Sequence, residues 1–182
     1  MWRGMVGVAL AAFAAAGADT VAAQSGSPAV RPEDAGVRSL IAIGMERSAT
    51  FRDLNARLEK GDVIVYVRFL RCAGGVPACL LWAPAGAGRR ILLVKLDRFG
   101  RSPDELTALL AHELQHANEV ASKPEITDAA SFGKAFGSSG WKHADGFETG
   151  EAKEISRRVA SELSRAERDV GRERRSPWTY RE

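Results

Sequence analysis

Two of the chain's three histidines, His112 and His116, stand four residues apart in "LLAHELQHANEVA", and Glu113 follows the first. On a helix this spacing stacks the two imidazoles about one turn apart, so both rings reach one point. The H-E-x-x-H order suits hydrolytic zinc chemistry. Two neutral imidazoles hold the ion, the ion lowers the pKa of its water to about 7, and the neighbouring carboxylate takes the proton as that water attacks a carbonyl. The rival account is a plain helix with two solvent-side histidines and a stray glutamate. Residues placed at 100° steps speak against it. Leu106, Leu109, Leu110, Leu114, Ala117, Val120 and Ala121 make one broad apolar face, with the histidines along its edge and Glu113 in its middle. A carboxylate buried there is costly unless a charged or hydrogen-bonding group meets it.

A catalytic zinc takes three protein ligands and leaves one position open. Glu119 is near in sequence, but seven residues from His112 is about 10.5 Å along a helix axis, too far for one ion. The third ligand must come from another element, and "GFETGEAKEISRRVASEL" offers it. Ala152, Ile155, Val159, Leu163 and Ala166 form its apolar stripe; Glu148 lies on that stripe at its start, Glu151 lies well off it, and Glu154 is almost opposite. Glu148 is therefore the expected third ligand, against the alternative of a helix-start carboxylate that serves the helix dipole. His143 is the other candidate ligand, or a loop histidine that stabilises an oxyanion in the cleft.

The elements around these residues are legible from pattern and punctuation. Helices are expected from Glu33 to about Glu46 and from near Ser48 to Lys60, where Phe51, Leu54 and Leu58 share a face and Gly61 is the stop. "DVIVYVRFL", "ACLLWAPA" and "RRILLVKLD" read as three strands of a small antiparallel or mixed sheet. Ser102 as N-cap, Pro103 at the first position and Glu105 completing a capping box start the central helix, which should run to about Ser122, before Pro124. Residues 123–146 read as irregular, and a last helix should run from near Phe147 to about Val170. The expected class is α+β, with a sheet packed on the H-E-x-x-H helix and one domain over residues 33–170.

The ends concern export. Residues 1–23 have Arg3 near the start, an apolar run from Gly4 to Gly17, and Val21 and Ala23 before Gln24, the layout of a cleaved signal peptide. A membrane anchor would need about 20 apolar residues. Residues 24–32 read as a flexible leader and 171–182 as a flexible tail. The expected location is periplasmic or secreted, with no stable membrane insertion after cleavage. Cys72 and Cys79, the chain's two cysteines, flank a Gly-Gly and Pro turn and are expected to form a disulfide in an oxidising compartment. Twenty-six Lys and Arg against 23 Asp and Glu give a net charge of only +3, and no basic block interleaves with aromatics, which excludes an obvious nucleic-acid partner.

"HELQH" on a capped helix, followed by an inward-facing Glu on a second helix, resembles the gluzincin clan of zincin-like metallopeptidases. The stretches "ERSATFRDL", "VIVYV", "HELQHANEVA" and "FETGEA" are also similar to a group of small exported bacterial proteins. The resemblance implies Zn²⁺ bound by His112, His116 and Glu148, with Glu113 as general base. The chain departs from it at Ala152, where some gluzincins carry an acid that orients a ligand histidine through its second nitrogen; Asp145 or a backbone carbonyl would have to serve instead. His143, Tyr66 and Tyr180 are the candidates for oxyanion stabilisation. The expected function is an exported zinc metallopeptidase acting on a peptide or protein, with "RRILLVKLD" as the strand edge that holds an extended substrate. An amide of the cell wall is an equally compatible bond, and the alternative class is a non-enzymatic, zinc-stabilised module that binds a partner.

Overall fold

The computed structural model describes residues 28–83, 89–137 and 148–174. These form a mixed α+β arrangement of five α-helices and a four-stranded sheet. In chain order they are β1 (Val30–Pro32), α1 (Ala35–Arg47), α2 (Ala49–Leu58), β2 (Val63–Phe69), β3 (Ala78–Ala83), β4 (Arg90–Leu96), α3 (Pro103–Ala121), α4 (Ala129–Gly137) and α5 (Gly150–Arg174).

Local chemistry accounts for most boundaries. Asp34 caps α1 by accepting from Val37 N at 2.8 Å. Ser48 ends α1 and caps α2, its hydroxyl accepting from Phe51 N at 3.0 Å. Gly44 lets this corner close, because a Cβ there would lie 2.6 Å from the Phe51 ring. The capping box expected at Ser102 and Glu105 is present in full.

The sheet order is β1-β2-β4-β3. β1 and β4 each pair with β2 in parallel, and β3 pairs with β4 antiparallel. The sheet is therefore mixed, not antiparallel. The loop between β2 and β3, closed by the Cys72–Cys79 disulfide, carries β3 to the outer edge, and β4 returns into the gap beside β2. "RRILLVKLD" is consequently an interior strand, and the edge nearest the histidines is "ACLLWA" of β3.

Parts of two stretches read as irregular form regular elements. Val30–Pro32, placed in a flexible leader by the sequence, forms β1, with Ala29 and Val30 buried and Ala29 N donating to Glu59 Oε1 at 2.9 Å. Within 123–146, α4 is capped by Asp128, which accepts from Ser131 N at 2.7 Å, and it stacks Phe132 on Trp82 of β3. The last helix starts at Gly150 rather than near Phe147 and continues past Val170 to Arg174.

The core lies between sheet and helices. Val63, Val65 and Val67 of β2 and Leu92, Val94 and Leu96 of β4 alternate inward, toward Leu106, Leu110 and Leu114 of α3. On its other side α3 packs against α5, whose Ile155, Val159 and Leu163 are buried as the stripe predicted. Arg47 bridges three helices, forking onto the Asp104 carboxylate at 2.9 Å and donating to Leu163 O at 2.7 Å. α3 is thus held from both faces along its length. Among the described residues, no helix is long and apolar enough to cross a membrane.

Candidate metal centre

α3 brings His112 and His116 together as the four-residue spacing requires, with their Nε2 atoms 3.1 Å apart. Glu148, just ahead of α5, sets Oε1 2.7 Å from His112 Nε2. One ligand atom from each of these three residues lies within 4.8 Å of the other two. The spacing suits zinc: two nitrogens each about 2.05 Å from a tetrahedral ion stand about 3.3 Å apart. The carboxylate would have to swing away from His112, now at 2.7 Å, and toward His116, within the 4.8 Å that the group spans. Two imidazoles and one carboxylate are also a donor set that zinc accepts.

Glu113 is where the helical wheel put it, facing inward and only 5% exposed. It makes no hydrogen bond among the described residues, yet it lines the groove that the two histidines open into. Burial, aided by the negative charge of Glu148, pushes its carboxyl up to about 8. Burial also lowers His112, helped by the neighbouring His116, while Glu148 and a hydrogen bond with the Ala152 backbone act the other way. An imidazole biased to its neutral form is the form that ligates a metal.

The groove has a volume of about 710 Å³. Val76, Pro77 and Ala78 wall it on the β3 side, Leu109 forms part of its floor, and Lys153 and Arg157 of α5 form the opposite rim. Lys153 Nζ lies 3.0 Å from Glu148 Oε2, so the two oxygens of that carboxylate face different partners. The disulfide fixes both ends of the 72–79 loop that supplies the β3-side wall.

Glu119 carries a role that its sequence position concealed. It is no ligand, as the distance from His112 implied. Its Oε2 instead meets His116 Nδ1 at 3.0 Å, on the side of the ring away from His112. Burial would raise this carboxyl, but hydrogen bonds from His116, Thr149 and Gln115 and the charge of His116 hold it below the usual range. Glu119 therefore takes the ring-orienting position that Ala152 leaves empty. The i,i+3 spacing of His116 and Glu119 is the sequence signal for this contact.

Of the remaining candidates, Tyr66 lies on β2, one strand removed from β3, where its hydroxyl accepts from Arg31 Nη1 at 3.1 Å. It does not line the groove and cannot stabilise an oxyanion there. His143, Asp145 and Tyr180, like residues 1–23 with the expected signal peptide, lie outside the described residues. No family model matches the chain, and neither the curated proteins nor the solved structures contain a match to it.

Proposed function

We propose that the protein is an exported zinc-dependent metallopeptidase of zincin-like arrangement, with His112, His116 and Glu148 as ligands and Glu113 as general base. One observation carries the reading. A buried carboxyl with no hydrogen-bond partner among the described residues opens onto a groove beside three converging ligand atoms. A structural zinc module needs no such group, and an unpaired buried carboxyl is destabilising by itself.

When bound at these atoms, zinc supplies Lewis acidity and lowers the pKa of water beside it. Its positive charge also favours the carboxylate form of Glu113, opposing the effect of burial. Glu113 then receives the proton of the attacking water and passes it to the leaving nitrogen. His112 and His116 would hold the ion, the His116 ring aimed by Glu119. An extended substrate lies along the free edge of β3, held by main-chain hydrogen bonds, with its side chains against Val76, Pro77 and Leu109.

The test is metal content followed by cleavage. The purified protein is expected to hold one zinc, lost in Glu148→Ala and retained in Glu113→Ala. Only zinc-loaded wild type should then cut a mixture of unstructured peptides. Absence of zinc in wild type, even when supplied, sinks the reading. Zinc held tightly, with cleavage of neither peptides nor cell-wall amides and large destabilisation on its removal, would favour the partner-binding module.

A further inference from the structure

The third ligand and the two histidines sit on different helices, so something must hold the start of α5 against the middle of α3. Glu148 itself precedes the first turn of α5 and has no intrahelical bonds to fix it. Thr149, the next residue, makes two hydrogen bonds with one hydroxyl. It accepts from Ala152 N at 3.1 Å, capping α5, and donates to Glu119 Oε1 at 2.8 Å. The other oxygen of Glu119 is the one that meets His116 Nδ1. Glu119 is steadied from behind, since Gln115 Nε2 approaches the same Oε1 at 3.4 Å while Gln115 Oε1 accepts from Arg57 Nη2 at 3.0 Å.

We propose that Thr149 is a positioning residue, a latch that ties the helix carrying the third ligand to the carboxylate that orients the second histidine. Resting on the reading of His112, His116 and Glu148 as metal ligands, it makes the site assemble as a unit. Docking of α5 places Glu148, and the same hydrogen bond holds the carboxylate that aims the His116 ring. A serine or threonine can fill this role because its hydroxyl donates and accepts at once. Valine has the same shape and does neither.

The test is a double-mutant cycle on the full chain, read as zinc affinity by competition with a chelating dye. Outer partners of ligand histidines typically change metal affinity by about 10–100-fold. Thr149→Val in the wild-type background should weaken zinc by that factor. In the Glu119→Ala background the same change should cost less than about 3-fold, because the bond it removes is already absent. Thr149→Ser should restore affinity to within about 3-fold of wild type. Equal losses in both backgrounds would mean that Thr149 acts as a helix cap alone, and the latch falls; failure of Thr149→Ser to restore affinity overturns it as well.

A second readout needs no metal. In the metal-free protein, Glu119→Ala should speed amide hydrogen exchange at Ala152, although Glu119 does not touch that amide. Unchanged exchange overturns the latch even if zinc binds. Coupled exchange in a protein that never binds zinc would uphold the latch and sink the metallopeptidase reading.

Discussion

Arg90 and Glu113 are both ionisable side chains carried into the interior against α3, and the fold treats them in opposite ways. Arg90, 8% exposed, sits under the C-terminal end of α3. Its guanidinium forks onto Asp62 at 2.5 and 2.9 Å and donates to the carbonyls of Val120, Ala121, Lys123 and Ile126. Val120 and Ala121 belong to the last turn of α3, where the helix dipole attracts a cation, and Lys123 and Ile126 belong to the turn that follows it. Glu113, two turns earlier on the same helix, has no hydrogen bond among the described residues and opens onto a groove. A buried charge with every donor matched belongs to the architecture. A buried carboxyl left without partners is kept at a cost in stability, and such groups concentrate at functional sites.

The comparison is most severely tested at Glu113. Glu113→Gln should lower peptide cleavage by about 10²–10⁴-fold, the range of general-base catalysis, with zinc content unchanged. In the metal-free protein the same substitution should raise stability at neutral pH. The pH dependence carries a definite sign. Because folding raises this carboxyl from 4.5 to about 8, its contribution is full below about pH 4.5 and is lost as pH rises through about 8. The loss is at most about 5 kcal/mol. Denaturant unfolding of metal-free wild type and Glu113→Gln at pH 5 and pH 8.5 checks this. Parallel pH profiles for the two proteins would refute it.

Arg90→Met should cost about 3 kcal/mol, because four carbonyls around the end of α3 lose this donor, while Asp62, half exposed, keeps water as its partner. Urea unfolding measures it, and a loss under about 1 kcal/mol would mean that water replaces the guanidinium without penalty. The pair has the opposite pH sign to Glu113. Hydrogen bonding with Arg90, working against burial, holds Asp62 below its ordinary 3.8, so this contribution is present above that value and disappears as pH falls through the lowered one. Acid should weaken the Arg90 end of α3 while relieving the Glu113 end. Hydrogen exchange along the helix can report the two separately.

The smallest expected effect concerns the groove wall. Replacing both Cys72 and Cys79 with serine should lower stability by about 2 kcal/mol. Substrate KM should rise with zinc affinity unchanged, because the 72–79 loop lines the groove and holds no ligand. A parallel loss of zinc would show that the loop supports the metal centre itself.

Much of the candidate centre was legible before any coordinates. Four-residue spacing puts two histidines on one side of any α-helix, and a wheel drawn from Leu106 to Ala121 suffices to turn Glu113 inward. The apolar stripe of α5 similarly turned Ile155, Val159 and Leu163 inward and left Glu154 outside, because burial of the stripe fixes the rotation of the helix. The Cys72–Cys79 disulfide and the Ser102–Glu105 capping box were equally readable, both being made by residues a few positions apart. All of these depend on short-range geometry, which the sequence determines by itself.

What only the tertiary structure decided involves residues far apart in the chain. β1 is three residues long, too short to show a period, and exists only because β2 offers it a parallel partner. β4 and β3 look alike as sequence, yet their order in the sheet made one interior and the other the edge along the groove. Glu119 and Thr149, thirty residues apart, share a hydrogen bond only after α5 docks on α3. The reason is physical. Periodicity and capping fix how each element turns about its own axis, but which elements become neighbours is set by packing across the whole core, where strand order and long-range hydrogen bonds are chosen together.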